Sequence, residues 1–541
     1  MLRVALRTNI SAALGFSLLA GILLAFFTLA YAALGSDREA ARRDMETLAP
    51  AFSFILPFPQ RLDTNAGYVA WFGYGQLGAI FAFWGLLAGT FASRGEEERG
   101  LTDLWLSAGI PRWRILVSHV VAFAVAVVIA LAVGAAGVLA VAAGAGEPIP
   151  ISAIALESSG VLGITLAFFG FGLVTGQLMP TRRGALGMGA LTLVGLYLMN
   201  SFSRQWAALS SLRWISPFAY YDRIHGLVPG LDFNEAALAL LIALAVIGTV
   251  AALGLFLARD AGATLGQRGT PGAPRRTPAT NPLLRSQILA TLYDQRVSLF
   301  IWCLALGFQG YSVTRMASPF LRALAQADPN GSTTAQLRTV AGVEHGGGYE
   351  GFVGFQWFGG LAALALAAYA ITQVARWSGD DTEGRLEALL SAPVSRARVI
   401  AERALALGLG AGLLIVVSHA AVAAGSAVND TPLDGGRIAI ASFMLLPIAG
   451  VFAGVGAAAS AWRPRVTVAI LAAFALVSFM LPFATPVIRG PEWLNHLSVF
   501  DLYGSPLADG FVAWRFAVLA GFTALGFAIA LFAMLRRDIG R

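Results

Sequence analysis

Two short stretches of this sequence place carboxylates, leucines and arginines in the same order. Residues 95–116 read GEEERGLTDLWLSAGIPRWRIL, and residues 379–400 read GDDTEGRLEALLSAPVSRARVI. In each, acids collect at the beginning, where the dipole of a helix favours negative charge, and apolar residues follow at a spacing of three and four. A stretch with this pattern is suited to binding another molecule. Its apolar face can enter a groove on a partner while its carboxylates meet basic or amide groups at the rim.

The two stretches align without a gap at an offset of 284 residues, with Gly95 against Gly379. An amphipathic helix lying on lipid is the alternative to a docking helix, but a surface rich in anionic lipid would repel the acids. We therefore predict that both stretches dock on a cytoplasmic partner. The residues predicted to make this contact are Glu97, Glu98, Gly100, Leu104 and Trp105 in the first stretch and Asp381, Glu383, Gly384, Leu389 and Leu390 in the second.

Residues for other kinds of chemistry are missing from the sequence or badly spaced. The five histidines make no pair at the spacing of metal ligands, and a single cysteine excludes an internal disulfide and a cysteine-based metal site. The sequence contains no lysine, which a phosphate-binding loop of the GxxxxGKS/T kind requires. Neither a nucleophile elbow nor paired catalytic acids occur. We therefore expect a protein that is not an enzyme, carries no cofactor or metal of its own and binds no nucleic acid.

Two glutamines lie among aromatic residues, in WFGYGQLGAIFAFW around Gln76 and in GFVGFQWFGG around Gln356. An aromatic wall with one amide suits a pocket for a bulky apolar ligand, whereas an aromatic belt at the outer face of the membrane is the alternative. The candidate substrate-lining residues are Gln76, Phe83, Trp84, Phe355, Gln356 and Trp357. Glu157 lies close to the end of a predicted span, where its carboxylate is expected to reach water.

The elements that position these residues are membrane-spanning helices. Apolar residues make up 57% of the 541 positions and charged residues only 12%, about half the share found in a soluble domain. About 20 consecutive apolar residues cross a bilayer. The sequence predicts six spans in its first half, at 9–34, 68–91, 115–143, 153–178, 185–201 and 235–258, and six in its second, at 298–317, 352–375, 401–427, 437–461, 466–486 and 511–535. The expected fold is an all-α polytopic membrane protein.

The repeat divides the chain into two halves. We predict a first six-span half at 1–260, a cytoplasmic linker with an interfacial helix at 261–297, and a second six-span half at 298–541. Because an even number of spans returns the chain to the same side, the halves should be parallel six-helix repeats with a path between them. The net charge of +7 rests on arginine, and most arginines fall on one side if both termini and the linker are cytoplasmic.

With these residues in view, the sequence resembles the permease subunits of type-two ABC exporters. In that family the loop after the second span carries an acid–Gly–x–Leu helix that ends in a Pro–x–x–Arg turn. The corresponding residues here run from Glu98 to Arg112 and from Glu383 to Arg396. Ser216-Pro217-Phe218 similarly resembles the family's re-entrant outer hairpin before the last span. Two halves in one chain resemble the fused permeases that export polyketide and polyether antibiotics of the tetronasin kind.

The resemblance implies a function and a set of partners. The repeated helices would be coupling helices on two copies of a cytoplasmic ABC ATPase subunit, which would bind the ATP and Mg. The cargo would be bulky apolar or amphipathic small molecules, moved across the lipid of the bacterial plasma (inner) membrane in antibiotic or multidrug efflux. Leu101 and Val499 depart from the family pattern, in which Thr or Arg follows the glycine and a proline begins the second hairpin.

A secondary transporter of the twelve-span, two-bundle type is the alternative that the sequence leaves open. Such a transporter also has parallel halves. It would be expected to carry an acid deep in a span for proton coupling, and none is found there. The acidic amphipathic stretches also occupy the place of its usual loop motif.

Overall fold

The computed structural model of the chain describes residues 1–33, 42–43, 46, 56–205, 207–259, 286–326, 338, 342–343, 347–382, 384–487 and 491–536. These residues form helices throughout the apolar segments, and no β-strand occurs among them. They fall into two compact units, the first holding the described residues up to Arg259 and the second those from Ser286 onward. The all-α fold class predicted from the sequence is confirmed.

The first unit contains five long apolar helices after an apolar N-terminal one, and two short helices between them. The bounds are α1 Leu2–Ala33, α2 Asn65–Glu98, α3 Leu101–Ser107, α4 Arg112–Gly144, α5 Ile151–Leu178, α6 Arg182–Gln205, α7 Pro217–Tyr221 and α8 Glu235–Ala258, with 3₁₀ turns at Ala207–Leu209 and Leu212–Ile215. Asn234 begins α8 by accepting a hydrogen bond from the Ala237 N–H at 3.0 Å. This side chain satisfies one of the free N–H groups at the helix start.

The second unit repeats this series of long and short helices. The bounds are α9 Gln287–Gln326, α10 Gly348–Asp381, α11 Arg385–Leu390, α12 Arg396–Val428, α13 Gly435–Trp462, α14 Thr467–Val487, α15 Val499–Tyr503, α16 Pro506–Asp509 and α17 Ala513–Arg536, with 3₁₀ turns at Pro464–Val466 and Glu492–Leu497. The segment predicted as an interfacial helix before the seventh span is not a separate element. From Gln287 onward it is continuous with α9, a single helix of 40 residues.

Among the described residues, eleven helices are long and apolar enough to cross a membrane. Each overlaps one of the spans predicted from the sequence. The remaining predicted span, 466–486, coincides with α14, in which a shorter apolar stretch, Ile470–Phe479, is found. The chain is therefore a polytopic helical membrane protein.

The long helices pack by the same scheme in each unit. In the first, α1 packs on α4, α2 on α5, and α5 on α8. In the second, α9 packs on α12, α10 on α13, and α13 on α17. The first and third, second and fourth, and fourth and sixth long helices of a unit are thus neighbours in both cases. This common scheme places the two short acidic helices, α3 and α11, in the same surroundings within their own units.

Glycine allows the closest of these helix contacts. A Cβ atom at Gly89 of α2 would lie 2.2 Å from the carbonyl oxygen of Phe169 in α5. In the second unit a Cβ at Gly526 of α17 would lie 2.5 Å from the carbonyl carbon of Gly454 in α13. Such distances leave no room for a side chain. Small residues of this kind let membrane helices approach backbone to backbone, where packing rather than the hydrophobic effect holds them together.

We predict that Gly89→Ala lowers the stability of the first unit, because the new methyl group would overlap the backbone of α5. Overpacking of this kind costs about 1–3 kcal/mol, which exceeds the gain in helix propensity of about 1 kcal/mol. Gly254→Ala in α8 is the matched control, since a Cβ there meets nothing within 4 Å. Thermal unfolding in detergent would measure both, and equal midpoints for the two variants would contradict the prediction.

Candidate functional site

Both acidic helices begin at a glycine in the left-handed conformation. Gly100 precedes α3 with φ 70° and ψ 7°, and Gly384 precedes α11 with φ 73° and ψ 4°. A Cβ at either position would meet nothing within 4 Å, so backbone conformation rather than space calls for glycine. Each glycine N–H also closes the preceding turn, on the Glu97 carbonyl at 2.9 Å and on the Asp381 carbonyl at 3.3 Å. The two glycines predicted from the sequence thus start both helices by the same turn.

Glu97 lies inside the first unit rather than on its surface. Arg94 donates to its Oε2 at 2.6 Å, and Arg259 donates to its Oε1. All three side chains are at most 5% exposed. Arg94 also donates to the Gly176 carbonyl at 3.1 Å, and Arg259 donates to the Gln177 side chain at 2.7 Å. We call Arg94, Glu97, Gln177 and Arg259 the ion cluster; it joins the end of α2 to α5 and to the residue that follows α8.

The other two glutamates of the first stretch also contact their own unit. Glu96 Oε2 lies 3.0 Å from His119 Nε2 of α4, with both side chains buried. Glu98 accepts a hydrogen bond at 2.6 Å from the backbone N–H of Arg182, the first residue of α6. This carboxylate therefore caps a helix whose first N–H groups have no partner within the helix. Together the three glutamates connect the segment before α3 to α4, to α6 and to the residue that follows α8.

An arginine after each acidic helix binds the end of the last long helix of its unit. Arg112 donates from Nη1 to the carbonyl oxygens of Phe256 at 2.6 Å and Arg259 at 2.7 Å. Arg396, at the equivalent position, donates to the carbonyl of Met534 at 2.5 Å. Carbonyl groups at a helix end have no partner inside the helix and carry partial negative charge, which a guanidinium group offsets. Sequence reasoning matched these two arginines but assigned them no role.

The second unit has the same contacts with different residue types. Asp380 accepts from Arg385 Nε at 2.8 Å and from Arg403 Nη2 at 3.2 Å. Asp380 and Arg403 stand at the positions of Glu96 and His119 when the offset of 284 is applied, so an acid–base pair recurs there. Asp381 is partly buried, and Glu383 lies outside the described residues. Aligning the halves beyond the quoted stretches would have revealed this pair from the sequence.

The outward face of α3 carries one large apolar side chain. Leu104 is 58% exposed, and Asp103 and Ser107 beside it are exposed as well. Thr102 is buried and Trp105 is partly buried, so the opposite face of this short helix lies against its own unit. Of the two predicted apolar contacts in the first stretch, Leu104 is therefore the more accessible to a partner.

The outward face of α11 is small and polar instead. Leu386 is buried in a cluster with Val399 and Met534, and Leu389 and Leu390 pack partly buried against the same cluster. The exposed positions of α11 are Arg385, Glu387 and Ala388, followed by Ser391, Ala392 and Pro393. Leu389 and Leu390 were predicted to fill a groove on the partner, and in this structure they already contact the core of their own unit.

The six candidate substrate-lining residues separate into two groups. Trp84 is 2% exposed and stacks on Phe16 with ring centroids 4.2 Å apart, and Trp357 is 1% exposed and donates to Ser418 Oγ at 3.0 Å. These two tryptophans belong to the cores of their units. Gln76, Phe355 and Gln356 are partly exposed, and Phe83 is 42% exposed. Only these four are accessible to a ligand.

The accessible amides lie at irregular turns of their helices. Gln76 follows a π-helical turn at Ala70–Tyr74, and Gln356 lies within a π-helical segment at Gly354–Ala362. Such turns widen the helix and often occur at functional sites. Of the two amides that the sequence singled out, Gln356 thus lies where its helix departs from regular α-helix, and Gln76 lies in the first turn of α-helix after such a place.

The outer hairpins of the two units are built alike, and the structure accounts for Val499. Ser216 before α7 donates to the Leu196 carbonyl at 2.9 Å, and Ser498 before α15 donates to the Ser478 carbonyl at 2.6 Å. The Val499 N–H donates to Ser478 Oγ at 2.8 Å, a bond that a proline could not make. In the first unit the equivalent positions hold Leu196, which has no hydroxyl, and Pro217. The departure from the family pattern at Val499 is therefore matched by the serine that faces it.

These features define a helical membrane protein in which each unit presents one short, glycine-started helix tied to its own spans. Residues 13–261 match the family described as ABC-2 family transporter protein. Residues 284–534 match the family described as multidrug efflux system permease Rv1217c, C-terminal domain. One transporter domain thus matches in each half of the chain, and together the two matches and the apolar helices fit a fused ABC-2 permease. No curated protein matches the chain.

These two matches decide between the two readings of the sequence. ABC-2 permeases are transport subunits and not ATPases, so the family implies a separate ATPase partner. The chain is therefore the permease of an ABC exporter rather than a secondary transporter. Among the described residues, no group of histidine, cysteine, aspartate or glutamate side chains could hold a metal ion.

We predict that Glu97→Gln destabilises the permease even without its ATPase. The change leaves Arg94 and Arg259 buried without their counter-charge, and breaking a buried ion pair from one side costs about 3–5 kcal/mol. Asp103→Asn on the exposed face of α3 is the matched control, and its effect should stay within about 0.5 kcal/mol. Thermal unfolding of the purified variants would measure the difference. Equal stability of the two variants would mean that the ion cluster contributes nothing.

Proposed function

We propose that this permease exports bulky apolar or amphipathic compounds and is driven by two copies of an ABC ATPase subunit, one docked on α3 and one on α11. The observation that carries the proposal is the common construction of these helices. Each begins at a left-handed glycine, is tied on one side to its own unit and leaves its other side open. A helix held this way can receive force from a partner and pass it to the spans.

The ties to the spans supply the mechanical link in this proposal. Movement of α3 would act on α4 through Glu96 and His119, on α5 and α8 through the ion cluster, and on α6 through Glu98. In the second unit Asp380 and Arg403 connect the end of α10 to α12. Glu97 then serves the coupling from inside the unit, whereas Asp103 and Leu104 meet the ATPase.

The two docking surfaces are proposed to differ. The first offers Leu104 as an apolar anchor with Asp103 beside it, and the second offers Glu387 and Ala388. An exposed leucine can fill a groove, whereas an alanine lets the partner approach closely. The Leu389 and Leu390 side chains then support α11 from behind, since they pack on the Leu386 cluster.

The membrane setting follows from charge and family. We infer that the chain is a multi-pass protein of the bacterial plasma membrane with both termini and the acidic helices in the cytoplasm, which the placement of arginines supports. The nucleotide and its Mg belong to the ATPase, because the permease has no lysine for a phosphate-binding loop. The matched family described as a multidrug efflux permease supports export of drugs of varied structure.

We predict that Leu104→Glu removes most of the transport activity of the wild-type protein. Placing a charge at the centre of an apolar contact should cost a few kcal/mol of binding, which weakens docking about 10- to 1,000-fold. Leu231→Glu is the matched control, because Leu231 is an exposed leucine (40%) outside the acidic helices. Drug efflux from cells that express permease and ATPase together would be compared for both variants.

The second docking surface is tested by Ala388→Trp. The indole would hold the partner away from α11, so transport should fall, and the double variant with Leu104→Glu should release the ATPase during purification. Leu389→Ala with Leu390→Ala would also remove packing within the unit and is therefore a less specific test. If the Leu104→Glu, Ala388→Trp protein still co-purified with its ATPase and transported normally, docking on these helices would be refuted.

We also predict that the purified permease alone neither binds nor hydrolyses ATP. ATPase activity should appear only with the partner subunit and should fall when a docking variant is used in the mixture. A phosphate-release assay on the permease alone and on the complex measures this directly. Hydrolysis by the permease that survives removal of every contaminating ATPase would contradict the assignment.

A further inference from the structure

The first unit holds a cleft at the end of α2 that lies away from the acidic helix. Trp71 lies at this cleft, and Glu98 is the last residue of α2, just before α3. At 1.5 Å per residue the two are roughly 40 Å apart along α2. The cleft has a volume of about 50 Å³ and is open to solvent. The lining residues that matter for its chemistry are Phe58, Trp71, Glu157, Tyr221, Asp222 and His225.

Glu157 in this cleft is buried and lacks a basic partner. It is 5% exposed, although its place near a span end predicted that it would reach water. Its Oε2 accepts a hydrogen bond from the Leu227 N–H at 3.0 Å. No arginine or histidine in the described part of the chain forms an ion pair with it. A buried acidic group without a counter-charge is costly, and an acidic residue within a membrane span is a candidate functional group.

The neighbouring polar groups do not supply the missing charge. Asp222 is already matched, since Arg204 donates to its Oδ2 at 2.6 Å and Asn200 at 2.8 Å. Burial lowers the pKa of His225 from its ordinary value, so this ring is neutral at physiological pH. The nearby Arg61 is paired with Asp63 at 2.9 Å. Among the described residues, Glu157 therefore carries the uncompensated acidic group of the cleft.

The aromatic residues of the cleft contribute ring surface rather than hydrogen bonds. The Trp71 indole N–H donates to the Pro57 carbonyl at 2.6 Å, and the Tyr221 hydroxyl donates to the Tyr74 carbonyl at 2.6 Å. Trp71 is 4% exposed and Tyr221 is 7% exposed, so both rings pack in the core of the unit. Phe58, which is 52% exposed, is the aromatic side chain of the cleft that a ligand can contact. A cation placed near an aromatic ring is attracted to the face of that ring, most strongly where water is excluded.

The second unit lacks this combination of groups. At the positions equivalent to Glu157 and Asp222 it has Ala441 and Gly504. The Tyr503 hydroxyl, which corresponds to that of Tyr221, donates to the Ala441 carbonyl at 2.9 Å. The cleft with a buried acid is therefore a property of the first unit and not a feature that every half of this design must have.

We propose that this cleft binds the charged group of an amphipathic cation, with the Glu157 carboxylate as its counter-ion and the exposed Phe58 ring against its apolar part. The proposal narrows the cargo of the exporter to compounds that join a positive charge to an aromatic or aliphatic body. It rests on the proposed function only in treating the ligand as cargo, because binding is measured on the permease without any ATPase.

The test uses tetraphenylphosphonium, a lipophilic cation, and tetraphenylborate, an anion of nearly the same shape. Equilibrium binding to the purified full-length permease in lipid nanodiscs should be detected for the cation and be at least about 10-fold weaker for the anion, as expected for a charge contact in a desolvated site. Glu157→Gln keeps an oxygen to accept from the Leu227 N–H but removes the charge. It should weaken cation binding by about 10-fold or more and should not weaken anion binding, because the charge that repels the anion is removed.

Glu235→Gln is the matched control, because Glu235 is an exposed carboxylate at the start of α8 and does not line the cleft. Its cation binding should equal that of the wild type. The proposal is overturned if Glu157→Gln binds the cation as tightly as the wild type does. It is also overturned if the wild-type protein binds both ions equally, a result that needs no variant to fold. Loss of transport in docking variants with intact cation binding would separate the two proposals.

Discussion

The pairing of Glu97 with Arg94 and Arg259 is the interaction on which the position of α3 depends. Charges taken out of water are stable only when each has a partner and the remaining polar atoms are bonded as well. Here two guanidinium groups share one carboxylate, and their other N–H groups reach the Gly176 carbonyl and the Gln177 amide oxygen. Because Arg94, Gln177 and Arg259 lie at the ends of different spans, a movement of α3 must displace those spans as well.

Each unit makes an equivalent ion pair beside its acidic helix, but with different residue types. An acid at the end of the second span binds a base on the third, as Glu96 with His119 and as Asp380 with Arg403. At the outer hairpin, Ser478 and the donating N–H of Val499 in the second unit replace the leucine and proline of the first. Paired changes of this kind preserve the geometry of the backbone while they alter charge and hydrogen bonding. The halves can therefore diverge in chemistry without diverging in fold.

The helices could be predicted from the sequence, whereas the direction of individual side chains could not. Apolar length and the repeated stretch located the spans and both glycine-started helices. The same periodicity is satisfied by a groove on a partner and by a groove in the chain's own unit, so it could not assign Leu389 and Leu390, which pack on Leu386. The periodicity also gives no information on contacts between residues that are far apart in the sequence. Nothing local to Glu97 indicates that Arg259, 162 residues away, reaches it.

The differences between the halves carry a mechanical consequence. In the proposed complex a symmetric ATPase pair would meet Leu104 on α3 and Ala388 on α11, so its two identical surfaces would make unequal contacts. On one side α3 is fixed by the buried ion cluster, and on the other Asp380 holds Arg385 and Arg403 through partly exposed contacts. Buried pairs resist displacement more than exposed ones, which water and salt screen. Force applied equally to both helices would then move the first unit as one piece and allow α11 more freedom against its spans. In this proposal the unit that would move as one piece is also the unit that holds the Glu157 cleft.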